Sequence, residues 1–396
     1  MVERSSNTIP KKLLIWLITS SLIISCSNGG AAAVAGTAVM KTDFGTLETG
    51  EKTQLYTITN ANGVSIGVSD FGASFVSYKT FDSKNNLRET LLGFDDAQAY
   101  SDNPYNLGAT IGRFANRIAK GQFQIDGNTY QLDLNDNGNN LHSGNIINKQ
   151  VWSSKIVRNE EATGIELEYL SPDNQGGMPG NIKIRVTYWL EENNNVKIDL
   201  DAVTDKATIV NLTNHAYFNL NSSGDGTSQL LKLNANAYTP TDLTLIPTGE
   251  IVLVKGSAFD LTKFTSIRNI LASSDPMLVF LKGMDNNFVV NQSDAAVLNL
   301  AATIYSSQTE RGISLYTTQP GIQVFTAQGL DAVGRNQQQY NSYHGVALEC
   351  QNYPDAPNHS NFPNSVLRPN QEYHQEILLV PFVGTQQFAD EMPLWL

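Results

Sequence analysis

The chain is expected to be all-β, a large antiparallel β-sandwich, and three observations predict this. From about residue 51 onward, short runs of β-branched and aromatic residues recur between Gly, Asn, Asp and Pro, the alternation of strands with one wet face. No long stretch sustains a 3.6-residue apolar period. Asn, Gly, Thr and aromatic residues are plentiful while blocks of Glu, Lys, Ala and Leu are scarce, which shifts the composition toward sheet.

At 396 residues, 41% hydrophobic and 16% charged, the chain can bury a large core. Residues 1–26 read as an export signal, with Lys11-Lys12 ahead of an apolar run at 13–24 that is too short to span a bilayer. The ending Ile23-Ile24-Ser25-Cys26 resembles a bacterial lipobox, in which cleavage before the cysteine is followed by its lipidation. The alternative is an ordinary cleaved signal, cut after one of the alanines at 31–35. On the first reading Cys26 is an anchor and residues 27–50 are a flexible tether. Ser27 then points to the outer membrane of a Gram-negative cell, with the protein facing the periplasm.

Cys350 is the one thiol left, so no internal disulfide forms and the fold rests on its core. Removing the signal's net +2 takes the formal charge from −12 to −14. So acidic a chain has no basic footprint for nucleic acid, and its membrane contact is confined to the N-terminal anchor.

Residues 51–396 read as one domain, since no internal linker or short repeat interrupts them. Its first strands are Tyr56-Thr57-Ile58-Thr59 and Val64-Ser65-Ile66-Gly67-Val68. Residues 122–132 carry Asp126-Gly127 between two alternating runs, a strong hairpin signal. Ile182-Lys183-Ile184-Arg185-Val186-Thr187-Tyr188 and Val196-Lys197-Ile198-Asp199-Leu200 form a second such pair, joined by a turn at 191–195. The best helical candidate, residues 267–272, is barely two turns long.

Near the C-terminus, Glu349 follows Val346-Ala347-Leu348 on a strand that runs into a Pro/Asp turn. A carboxylate buried there needs a partner or a task; ordinary alternation would instead turn it to solvent. His215 lies between Asn214 and Tyr217-Phe218, a setting that can shift an imidazole across neutrality or simply hold a hydrogen-bonded core residue. His142 sits in Asn139-Asn140-Leu141-His142-Ser143-Gly144, which also reads as a turn. Of Arg113 and Arg117, one guanidinium could equally tie loop carbonyls together. Asp285 follows Gly283 and could be a turn residue.

Metal binding fits poorly. His142 and His215 are 73 residues apart, and there is no His-x-x-x-His or Cys-x-x-Cys. Gly-x-Ser-x-Gly and Gly-rich phosphate loops are absent as well. What remains is acid–base chemistry by histidine and carboxylate.

Five segments in order carry a resemblance. They are Gly112-Arg113-Phe114-Ala115-Asn116-Arg117-Ile118, Asn140-Leu141-His142-Ser143-Gly144, Thr213-Asn214-His215-Ala216-Tyr217-Phe218-Asn219-Leu220, Thr317-Thr318-Gln319-Pro320-Gly321-Ile322-Gln323 and Leu348-Glu349-Cys350-Gln351-Asn352-Tyr353-Pro354-Asp355-Ala356-Pro357-Asn358. Together, over about residues 51–396, they resemble the aldose 1-epimerase (galactose mutarotase) family. The resemblance implies a galactose mutarotase-like supersandwich and interconversion of the α and β anomers of free hexoses such as glucose and galactose. It implies Glu349 as general base and His215 as general acid, with Asn116, Arg117, His142, Asp285 and Gln323 binding the sugar. No cofactor or metal is implied, and the protein is expected to be a monomer.

Two departures bear on substrate preference. Met284 and Asn286 flank Asp285 where relatives tend to carry an aromatic residue and a histidine, and Cys350 stands where threonine or proline is more usual. The competing readings are a carbohydrate-binding protein without turnover and a glycoside hydrolase using Glu349 and Asp285. A sugar-phosphate epimerase would need a further Arg/Lys cluster that the sequence lacks.

Overall fold

A computed structural model describes residues 36–221 and 223–387, and every statement of structure below concerns these. The ladders between their strands are antiparallel throughout. A nine-stranded sheet runs in the order Ser153–Arg158, Ala162–Ser171, Ile182–Glu191, Val196–Thr204, Tyr373–Val383, Arg311–Thr317, Asn299–Ser306, Leu230–Leu233, Thr265–Ser266. A six-stranded sheet runs Tyr217–Phe218, Val346–Gln351, Gly321–Phe325, Asp285–Val290, Ala235–Thr239, Val252–Leu253. A five-stranded meander covers Ala38–Thr46 to Leu87–Glu89.

The period-two pattern explains why these sheets stack. In Ile182–Glu191, Ile182, Ile184, Val186, Tyr188 and Leu190 are all buried, while Lys183 and Arg185 are exposed. These side chains join one core with Ile66 and Val68 of the meander and with Phe288, Ile322, Val324, Leu348 and Cys350 of the six-stranded sheet. The core thus lies between sheets, as the predicted sandwich requires.

Both predicted turns are present. Asp126 (φ 51°) and Gly127 (φ 78°) link Gln122–Ile125 to Asn128–Gln131, two positive dihedrals that suit the twist of a hairpin. Asn194 (φ 78°) turns Ile182–Glu191 into Val196–Thr204. The expected short helix is Ile267–Leu271, capped by Ser266.

The tether reading needs correction. Export signal and Cys26 lie outside the described residues, but within 27–50 the segment Ala38–Thr46 is a strand paired along Lys52–Thr59. Phe44 and Leu47 anchor it in a cluster with Phe94 and Tyr100. No described helix is long and apolar enough to cross a membrane.

Candidate active site

Strand alternation places the carboxylate. Along Val346–Gln351 the side chains of Val346, Leu348 and Cys350 enter the main core, which turns Glu349 to the opposite face. Register then sets Gln323 directly beside Glu349, and Phe325 beside both Asp285 and Ala347. Above this face lie three irregular segments. Thr213–Asn214 pairs with Thr110–Ile111, and His215 exchanges backbone hydrogen bonds with Gly108 and Ala109. Leu141 pairs with Arg117, and His142 (φ 52°) turns inward, its backbone N–H donating to Asn116. The turn predicted around His142 and its presence in the site are therefore one feature.

These parts enclose a cleft of about 200 Å³ lined by Tyr105, Asn106, Asn116, Arg117, His142, Asn145, His215, Tyr217, Asp285, Phe325 and Glu349. His215 Nε2 lies 3.5 Å from Glu349 Oε1. The rings of His142 and His215 meet edge to face at 5.5 Å, and Tyr217 stacks on His215 at 5.0 Å. Phe325 closes the apolar side against Tyr217. A larger groove of about 720 Å³ runs beside residues 363–375. Its buried amides, Gln319 and Asn352, are spent on backbone carbonyls, and it holds none of the predicted residues.

Six of the seven predicted site residues line the cleft. Gln323 stands behind it, its Nε2 donating to Asp285 Oδ1 at 2.6 Å. Arg117 donates through Nε to Asp136 Oδ2 at 2.7 Å and through Nη1 to Asp285 Oδ2 at 3.4 Å. One guanidinium is thus held in the cleft by two carboxylates. Asn116 accepts from the Arg117 backbone N–H at 2.9 Å. Arg113 takes the structural role: fully buried, it donates to the carbonyls of Ser171, Pro172, Pro179 and Gly180. Sequence reasoning missed Asp136, which reads as a plain turn residue in Asn135-Asp136-Asn137-Gly138, and also Tyr105, Asn106 and Asn145, which stand in loops without periodicity.

Burial dominates the electrostatics. It drives the Glu349 carboxyl well above its ordinary range; Asp285 adds to this and Arg117 opposes it. It pushes His215 down to about 4. His142 falls well below the usual imidazole value through burial and the nearby His215 and Arg117. His142 Nδ1 accepts the Asn116 backbone N–H at 3.0 Å, so the neutral ring carries its proton on Nε2.

His142, His215 and Glu349 each offer a ligand atom within 4.8 Å of the others. The donor chemistry does not suit a metal. A ligating imidazole normally donates through its second nitrogen, whereas the second nitrogen of His142 accepts.

The comparisons with known proteins agree with this geometry. The profile of the family described as aldose 1-epimerase matches residues 54–379. The chain belongs to the aldose 1-epimerase family. It is 36% identical to the galactose mutarotase of Rattus norvegicus over 348 residues, covering 85% of this chain and 96% of that one. To the aldose 1-epimerase of Escherichia coli K12 it is 33% identical over 330 residues, covering 82% and 94%. Among solved structures, the galactose 1-epimerase of Lactobacillus acidophilus NCFM superposes with a TM-score of 0.78 at 26% identity, covering 88% of this chain and all of that one. The chain is accordingly a carbohydrate isomerase built on the mutarotase-like supersandwich.

Proposed function

We propose that Glu349 and His215 interconvert the anomers of free aldohexoses such as glucose and galactose by moving one proton each. Ring opening needs a proton removed from the anomeric hydroxyl and another delivered to the ring oxygen, by groups on either side of one carbon. The observation that carries this is the buried contact of Glu349 Oε1 with His215 Nε2 at 3.5 Å, inside the only cleft that gathers the predicted residues among those described.

In the working charge state Glu349 is a carboxylate and His215 an imidazolium. Each transfer to or from the sugar leaves a neutral carboxyl and a neutral imidazole, the pair that burial favours. Opening the ring therefore relieves charge separation in a dry site. Rotation about C1–C2 exposes the other carbonyl face, and the same groups reverse their roles. His142, fixed with Nε2–H outward, donates to a sugar oxygen, and Arg117 with Asp285 and Asn116 holds hydroxyls so that the open chain recloses in place. Tyr217 and Phe325 offer the apolar wall.

Polarimetry of freshly dissolved α-glucose and α-galactose tests the assignment. Glu349→Gln and His215→Asn are each expected to lose at least about 100-fold in kcat, the lower end for a positioned proton transfer. A wild-type rate in either variant removes that residue from the mechanism. The same assay with xylose and arabinose defines the preferred aldose. The hydrolase alternative asks Asp285 to act as an acid, yet Asp285 is held by Arg117 and Gln323 as an ion-paired acceptor.

We also propose export and lipid anchoring at Cys26, supported by Lys11-Lys12, the apolar run at 13–24 and Ile23-Ile24-Ser25-Cys26. Cys26→Ala should abolish labelling by radioactive palmitate and release the protein from the membrane fraction. Unchanged labelling would overturn the anchor.

A further inference from the structure

Behind Glu349 lies a polar row that the mechanism does not use. Ala347, Glu349 and Gln351 share the face of Val346–Gln351 opposite the main core. Register sets Gln351 opposite Gly321, Glu349 opposite Gln323, and Gln323 opposite Asn287. Four polar side chains therefore occupy neighbouring positions on three adjacent strands. Gln351 is 0% exposed, and neither atom of its amide has a hydrogen-bond partner. Asn287 Oδ1, Gln323 Oε1 and Glu349 Oε2 are buried and unpartnered too.

The other halves of these groups are spoken for. Asn287 Nδ2 donates to Thr239 Oγ1 at 3.2 Å, and Gln323 Nε2 donates to Asp285 Oδ1. Gly321 supplies the space between. A Cβ at that position would stand 2.5 Å from Asn287 Oδ1, so this carbonyl projects over bare backbone toward the strand that carries Gln351. Counting by donor type, four acceptor oxygens, Gln351 Oε1 among them, are matched by one free amide N–H₂. Each group left unsatisfied in a dry interior is destabilising. A single buried water, bonded to two or more of these atoms, meets the deficit in donors.

We propose that Gln351 is a positioning residue for Glu349: with Asn287 and one shared water it presents a fixed donor to Glu349 Oε2, leaving Oε1 to face His215 and the sugar. This rests on the reading of Glu349 as the base. The charged and titratable groups around Glu349 are His215 and Tyr217 from residues 213–218, Asp285 on its own sheet, Arg117 and His142 from the two loops, and the adjacent Cys350 thiol on the opposite face of its own strand. Among these, Arg117 is the permanent cation, and a donor behind Oε2 is a second stabiliser of the carboxylate.

The test uses the full chain and α-glucose polarimetry across pH 4.5–8.5. Gln351→Met keeps the length and removes the amide. It should lower kcat about ten-fold, the worth of one hydrogen bond of about 1.4 kcal/mol, with KM within about two-fold. Because burial sets Glu349 above His215, the alkaline limb of kcat/KM follows Glu349 and should move up by about one pH unit, and Gln351→Asn should restore part of both. A folded Gln351→Met with an unmoved alkaline limb overturns the proposal, even if its Tm falls. If Gln351→Met does not fold, Asn287→Ser removes the opposite wall, and the same limb then decides: a rise supports the proposal and no change overturns it. A wild-type rate in Glu349→Gln would instead sink the base assignment, whatever the Gln351 variants do.

Discussion

Glu349 is buried where an ionised carboxylate is costly, and that cost has a direction in pH. Below the ordinary carboxylate range, near 4.5, folded and unfolded chains both hold the proton and Glu349 adds no penalty. As pH rises, the unfolded chain releases its proton first, because burial and Asp285 keep the folded pKa well above 4.5. Unfolding is favoured increasingly until the folded carboxyl ionises too. Glu349→Gln should therefore melt above wild type at pH 7.5 while losing activity, and the gain should vanish near pH 4. Thermal melts of the two proteins at both pH values check this; equal Tm at pH 7.5 would mean the carboxylate is solvated. His215 has the opposite sign. Its folded pKa of about 4 lies below the unfolded 6.5, so its share of stability is lost as pH falls through that window. Glu349 was legible in the sequence because a carboxylate among Val346, Ala347 and Leu348 breaks a local rule. Asp136 was not, because an aspartate in an Asn/Gly turn breaks none.

At the scale of elements, legibility followed burial. Ile182–Glu191 and Val196–Thr204 announce themselves because every second side chain is inside. Ala38–Thr46 hides because Phe44 alone of its nine residues is fully buried; an edge strand leaves almost no apolar period to read. A chain shortened to begin at Glu51, the boundary that alternation suggests, tests what this strand does. It would lose the Phe44 and Leu47 anchors and leave the edge of Lys52–Thr59 unpaired. The expected result is a Tm lower by several degrees and concentration-dependent self-association in light scattering, with kcat per folded molecule kept, since no cleft residue is removed. A monodisperse shortened chain with unchanged Tm would show the strand to be dispensable. Arg113 illustrates the reverse limit. Its sequence context could not separate a clamp from a ligand-binding residue, and four buried loop carbonyls made the decision.

For the whole molecule, the site is a meeting of segments more than 200 residues apart: Asn116, Arg117 and His142 from early loops, His215 from the middle, Asp285 and Glu349 from late strands. Alternation can say which face each side chain takes, but not which strands are neighbours, so the assembly was legible only through the ordered motifs and their resemblance. The same distribution governs how substrate arrives. The formal charge is −12, yet within the cleft Arg117 is matched by Asp136 and Asp285, and a free hexose carries no charge for a long-range field to act on. Added salt shortens the Debye length from about 10 Å at 0.1 M to about 3 Å at 1 M, which would strongly slow capture of a charged ligand. Here kcat/KM for glucose should stay within about two-fold over that range, because encounter with a neutral sugar is not steered and the paired groups in the cleft are buried from the ions. A steep fall with salt would instead mark an ionic substrate and send the search toward sugar acids, amino sugars or phosphorylated sugars.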